Sequence, residues 1–301
     1  MKRLLVIRGG AIGDFVLTLP AVRLLRDAFP GAQLEIVGLK HIAVLAAKRF
    51  YADAVRSIES PSLSRFFAEG AELPGELCQY FGSFDLIVSY LYDPDRIFER
   101  NVGKCSRGVF VAGPAKLDTS AHAAVQLAGP LERLGLELRN PAARLYPSDA
   151  DRAAVAHLRQ HDAGITIHPG SGGETKNWPL ENWRELGALL LSEGHALTVV
   201  GGEADRAQTS ALKQAWRGEP VQFAENLPLP HLAALLEDQL FVGHDSGISH
   251  IAAAVGARCV LLFGPTNPAI WAPANEDVTV VCAPGGNMRE LDVAVVARVA
   301  L

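Results

Sequence analysis

Short apolar runs alternate along the chain with stretches of helical period. LLVI (4–7) reads as a buried parallel strand that ends close to Gly9 and Gly10. Val16, Leu19, Val22, Leu24 and Leu25 then recur at helical spacing until Pro30 and Gly31. QLEIVGL (33–39) is strand-like again, which completes a strand–loop–helix–strand unit with a right-handed crossover expected. The device repeats from Gly164. GITIHPGSGG (164–173) is a strand and a Gly-rich loop, and WPLENWRELGALLLSEG (178–194) is a helix with Pro179 near its first turn, where a missing N–H costs nothing. HALTVVGG (195–202) is a strand, LPLPHLAALLEDQ (227–239) a helix, LFVGHDSG (240–247) a strand and turn, and ISHIAAAVG (248–256) a helix. ARCVLLFGPT (257–266) and DVTVVCA (277–283) supply further strands. Alternating strand and helix define an α/β chain with mostly parallel sheets.

A length of 301 residues suits two domains of about 150 each. Pro147 and Ser148 break the pattern inside ARLYPSDA (143–150), and a polar helix, DRAAVAHLRQH (151–161), follows. The expected domains are therefore 1–147 and 148–301. Between 59 and 120 the pattern predicts only the strand within DLIVSYLY (85–92) and a charged loop after it. Doubly wound sheets bind ligands outside the carboxyl ends of their strands, where both Gly-rich loops fall. Two such halves facing each other would share a cleft with a loop from each, the arrangement a two-substrate enzyme needs.

With 49% apolar and 20% charged residues the chain is globular, and a net charge of −5 without any long Lys/Arg run argues against a nucleic-acid partner. The cysteines, Cys78, Cys105, Cys259 and Cys282, form no C-x-x-C pair, so a disulfide framework is not expected, and Cys259 and Cys282 sit in apolar runs as small hydrophobes. The Leu4–Ile7 run is too short for a signal segment, and no stretch is long enough to span a bilayer. A reducing cytoplasm is expected, with peripheral contact to the inner membrane as an option. Arg65, Phe66 and Phe67 are candidates for such contact, against burial in the core.

Candidate chemistry lies on the loops. Asp14 ends GGAIGD (9–14), at a helix start, and is either an N-terminal capping carboxylate or a base facing a hydroxyl. An acidic tip disfavours a phosphate there. HPGSGGETKNWP (168–179) supplies Gly170, Ser171, Gly172, Gly173 and Lys176, a donor set suited to a diphosphate whose charge rises as a sugar leaves; the alternative is a surface turn with a solvated lysine. His168 reads as a satisfied structural histidine. In GGEADR (201–206), Glu203 or Asp205 either holds ribose hydroxyls or caps a helix. HDSGISH (244–250) places Asp245, Ser246 and Gly247 at a helix start able to bind phosphate, with His250 one turn on. A Ser246–His250–Asp245 hydrolase triad is a poor reading, because the order does not fit a nucleophile elbow. No metal site is expected: H-E-x-x-H is absent, and Pro94 interrupts the DPD at 93–95.

These segments, with GPTNP (264–268), resemble glycosyltransferase family 9, the ADP-heptose:lipopolysaccharide heptosyltransferases. The resemblance implies a GT-B fold, two Rossmann-like domains with an interdomain cleft, and an inverting reaction without a metal or other cofactor. The implied substrates are a nucleotide-sugar donor, ADP-heptose first, and a lipopolysaccharide-core or related glycan or glycolipid acceptor. It implies Asp14 as the base, with Gly13 beside the donor, and Gly170, Ser171 and Lys176 at the diphosphate. Asp205, or alternatively Glu203, falls at the ribose, Asn226 and Leu227 at the nucleobase, and Asp245, Ser246, Gly247 and His250 in the donor-site segment. YDPD (92–95) departs from the family pattern on the acceptor side. The alternatives are a sugar-nucleotide epimerase of similar fold, a Rossmann oxidoreductase, and a non-catalytic nucleotide-sugar-binding protein.

Overall fold

Strand β1 (Arg3–Arg8) is the middle of a five-stranded sheet, with β2 (Gln33–Gly38) and β3 (Ala54–Ser57) on one side and β4 (Leu86–Ser89) and β5 (Val109–Ala112) on the other. All four pairings are parallel. The second sheet repeats the plan around β6 (Ile165–His168). Strands β7 (Leu197–Gly201) and β8 (Val221–Glu225) extend one side, and β9 (Leu240–His244), β10 (Arg258–Phe263) and β11 (Val278–Cys282) extend the other, again all parallel. Strand order reverses between β1 and β4 and between β6 and β9. Those two switch points are where a doubly wound sheet opens a crevice at its carboxyl edge.

The computed structural model describes residues 1–159 and 164–301. It divides into two units, Met1–Pro141 and Ala142–Leu301. The division falls ahead of the Pro147–Ser148 break because the intervening segment is tied to the second unit. The Leu145 N–H donates to Ala254 O at 2.8 Å, and Asn275 Nδ2 donates to Ala143 O at 3.0 Å. Ser148 starts the next helix with a reciprocal cap: its Oγ accepts the Asp151 N–H at 3.2 Å, and Asp151 Oδ2 accepts the Ser148 N–H at 2.7 Å. That helix runs Asp149–Val155 and tightens to a 3₁₀ turn at Ala156–Leu158; positions 160 and 161 of the expected helix lie outside the described residues.

The central strands are buried on both faces, which is why they read as unbroken apolar runs. In the first unit Leu5, Ile7 and Ile87 pack on Phe66, Phe81 and Phe98. Phe66 and Phe81 meet at 4.9 Å between ring centroids, a contact worth about 0.5–1.5 kcal/mol beyond area burial. Phe66 is therefore core, whereas Phe67 is 39% exposed and stacks on Phe98 at 4.8 Å. In the second unit Trp183, Leu186 and Leu190 of the helix Leu180–Ser192 cover Ile165, Val199 and Val242.

Two cysteine expectations are corrected. Cys78 and Cys105 are joined by a disulfide linking the helices Gly75–Gly82 and Ile97–Cys105, because the fold brings together positions far apart in sequence. Cys282 is exposed at the end of the edge strand β11, while Cys259 is buried and burial pushes its thiol up to about 12.

Candidate functional site

In the first unit the switch-point loop leads from β1 into the helix Ile12–Ala28, whose first turn carries Gly13 and Asp14. Asp14 Oδ2 accepts the Ala11 N–H at 3.0 Å, and Oδ1 lies 3.2 Å from the Arg8 guanidinium. The Asp14 side chain remains 38% exposed, so one carboxylate combines a capping contact with access to solvent. Gly10 makes this possible: at φ +96 it takes a conformation other residues avoid, and a Cβ there would fall 2.8 Å from Asp14 Oδ2. Arg8 is 7% exposed, and its guanidinium sits 5.8 Å from the Tyr90 ring centroid, whose hydroxyl donates to Leu127 O. Burial lowers the Arg8 pKa from its ordinary value, and the Asp14 carboxylate opposes that shift.

On the same sheet edge, beyond β4 and β5, a hollow of about 360 Å³ is lined by Tyr92, Asp93, Arg96, Glu99, Lys116 and Arg133 among others. Asp93 caps the helix Ile97–Cys105 through the Phe98 and Glu99 N–H groups, and Arg96 forks onto Glu99. Lys116 Nζ stands 4.8 Å over the Tyr92 ring.

In the second unit the loops after β6 and β9 meet across the switch point. Lys176 Nζ bonds Asp245 Oδ2 at 2.7 Å, and Thr266 Oγ1 donates to the same oxygen at 2.8 Å. Lys176 is thus held by a buried carboxylate and is not a freely solvated surface lysine. Ser171 Oγ donates to Gly173 O at 3.0 Å within the same loop. Ser246 caps the helix Gly247–Ala254 by accepting the Ser249 N–H at 3.3 Å, so the positive end of that helix opens beside Lys176's partner. His250, 5% exposed, lies in the first turns of this helix.

The two acidic candidates after β7 separate. Asp205 is 6% exposed, its Oδ2 engaged by the Gly202 N–H at 2.9 Å and by His168 Nε2 at 3.1 Å. Burial acts to raise its pKa, but the His168 contact and the Gly202 N–H outweigh that, and the carboxyl titrates below its ordinary value. Asp205 thus turns into the unit, and Glu203 is the exposed carboxylate of this turn. Asn226 follows β8 in the left-handed region at φ 56, its N–H bonded to Gly201 O at 2.9 Å, and it is exposed beside half-buried Leu227. Gly170 has no room for a side chain: an added Cβ would lie 1.8 Å from Asp205 Oδ1.

Sequence reasoning missed three participants: Arg8, Thr266 and His244. His244 is fully buried at the end of β9 and contacts Gly170 and Trp178 through its ring nitrogens. Thr266 and His244 meet partners brought in by the sheet, so nothing local signals their roles, and the six-residue spacing of Arg8 and Asp14 carries no signal of its own. Among the described residues no group of three His, Cys, Asp or Glu side chains could hold a metal ion, and no helix is long and apolar enough to cross a membrane.

The second unit's edge gathers a carboxylate-paired cation, hydroxyls and a helix N-terminus at a doubly wound switch point, groups of the kind that bind anions. Its strand orders place the chain in the class of GT-B-type, twin Rossmann-like proteins. Solved structures of similar fold include a glycosyl transferase of family 9 from Veillonella parvula, at TM-score 0.84 and 19% identity over 99% of this chain and 96% of that one. Escherichia coli heptosyltransferase WaaC with ADP gives TM-score 0.76 and 19% identity over 99% and 98%. The profile of glycosyltransferase family 9 (heptosyltransferase) matches residues 118–296, and the chain belongs to that family. Curated relatives include lipooligosaccharide heptosyltransferase 2 of Haemophilus influenzae, 31% identical over 123 residues, 39% of this chain and 36% of that protein. Lipopolysaccharide heptosyltransferase 1 of Escherichia coli K12 is 31% identical over 155 residues, 48% of this chain and 47% of that protein. The chain spans about a third to a half of the length of these curated relatives.

Proposed function

We propose that the protein is an inverting glycosyltransferase that moves a heptosyl group from ADP-heptose to a hydroxyl of a lipopolysaccharide-core or related glycan. The reading rests above all on the cluster at the β6–β9 switch point. There Lys176, Ser171 and the N-terminus of the helix Gly247–Ala254 form a site suited to a diphosphate. Glu203 is the exposed carboxylate available to ribose hydroxyls, and Asn226 and Leu227 border the nucleobase.

In the reaction Asp14 accepts the proton of the acceptor hydroxyl as that oxygen forms its bond to the anomeric carbon. The bond from that carbon to the diphosphate oxygen breaks, and the electron pair leaves with ADP. Attack opposite the leaving group inverts the anomeric centre. Lys176 and the helix N-terminus meet the charge that develops on the leaving group, the task a divalent ion performs elsewhere. Asp245 holds Lys176 and Thr266 in register for that task. Arg8, 3.2 Å from Asp14 Oδ1, fixes the orientation of that carboxylate. The hollow lined by Tyr92, Lys116 and Arg133 suits the acceptor, which the protein would meet at the cytoplasmic face of the inner membrane.

A screen of nucleotide-sugars for thermal stabilisation, followed by transfer to lipopolysaccharide-core acceptors, tests the assignment. ADP-heptose should stabilise the protein most and be consumed only with acceptor present. Consumption of donor alone would point to an epimerase instead.

A further inference from the structure

His244 is a buried, titratable side chain that the proposed reaction does not use. Its Nε2 accepts the Trp178 N–H at 2.9 Å, and its Nδ1 lies 3.2 Å from Gly170 O. A carbonyl oxygen only accepts and a backbone N–H only donates, so Nδ1 carries the proton and Nε2 is bare. One neutral ring thereby ties together both ends of the segment that carries Ser171 and Lys176. The ring is fixed from a third side by Trp183, edge-on at 5.2 Å between centroids. Trp178 is anchored in turn by its indole N–H on Leu291 O at 2.9 Å. The next residue, Asp245, grips Lys176 itself at 2.7 Å.

We propose that His244 is a positioning residue for donor binding: by clamping Gly170 to Trp178 it sets the loop so that Lys176 meets the nucleoside diphosphate without reorganisation. This rests on the reading of Lys176 as the diphosphate lysine. A rigid loop binds without first having to be ordered, so its loss appears as weaker affinity and acts through Lys176.

The test is a double-mutant cycle on ADP affinity, measured by calorimetry with the full chain. His244→Phe keeps the aromatic bulk and removes both hydrogen bonds; His244→Asn, too short to reach both partners, takes its place if the Phe variant does not fold. In the Lys176 background the substitution should weaken ADP binding about tenfold, and in the Lys176→Ala background by no more than about threefold. His244→Gln, whose amide can donate to Gly170 O and accept from Trp178 N–H, should recover most of the affinity. An equal factor in both backgrounds, or no change in either, overturns the positioning role while leaving the donor site intact. A wild-type protein that binds no ADP overturns the donor reading and this inference together.

Discussion

Replacing Gly170 by alanine is a single-methyl change with a large calculable consequence. The new Cβ would lie 1.8 Å from Asp205 Oδ1 and 2.4 Å from its Cγ, far inside van der Waals contact. The carboxylate is not a free end that can swing away, because its Oδ2 is bound by His168 at 3.1 Å and by the Gly202 N–H at 2.9 Å. Rotating Asp205 out breaks a buried hydrogen-bonded pair, at about 3–5 kcal/mol. Moving the Gly170 backbone instead costs about 1–3 kcal/mol and loosens the His244 clamp. The cheaper route sets the expected loss at about 1–3 kcal/mol, which for a domain of this size lowers Tm by roughly 2–12 °C. Urea unfolding followed by tryptophan fluorescence reads the second unit alone, since Trp178, Trp183, Trp216 and Trp271 all lie within Ala142–Leu301. Gly172→Ala is the control: nothing lies within 4 Å of its added Cβ, and the change should stay within about 0.5 kcal/mol. A Gly170→Ala protein as stable as that control would refute the packing argument.

Further outcomes follow from the same geometry. Burial pushes the His244 imidazole down to about 3, against about 6.5 for an exposed histidine. Between those values the unfolded chain binds a proton there that the folded protein does not, so stability falls as pH drops, by about 1.4 kcal/mol per unit. His244→Gln should remove that part of the slope between about pH 6 and pH 4 in urea titrations; an unaltered slope would contradict the burial. Lys176→Ala should weaken ADP binding by about 10- to 100-fold in calorimetry, the loss of one charge-assisted contact, and unchanged affinity would count against its role. Glu203→Ala should weaken ADP about tenfold and 2′-deoxy-ADP much less, as loss of one hydrogen bond to a charged group implies; equal losses would remove Glu203 from the ribose.

What was legible in the sequence was whatever burial writes as a continuous run. Strands β1, β6, β9 and β10 are enclosed on both faces and declared themselves. The edge strand β11 still read as a strand through its β-branched VTVV, whereas β3, β5 and β8 did not: AVRS, VFVA and VQFAE are short and half-exposed, and the first and last carry Arg56, Gln222 and Glu225. The site divided similarly. Glycine loops and helix starts marked where Asp14, Ser171, Lys176 and Asp245 would fall, since each follows a strand. The difference between the two acidic candidates is not local: a single 3₁₀ turn leaves Glu203 exposed and puts Asp205 onto His168. His244 was visible only as a letter in HDSG, because its partners Gly170 and Trp178 are 74 and 66 positions away. Cys78 and Cys105, 27 apart and without a recognisable spacing, were hidden for the same reason.

In the proposed reaction Asp14 acts as the base for a donor held through Lys176. Steady-state transfer from ADP-heptose by Asp14→Asn, with ADP affinity measured on the same preparation, tests it most directly. General-base loss predicts turnover reduced by about 10²–10⁴-fold with ADP binding essentially unchanged. Wild-type turnover in Asp14→Asn would contradict it.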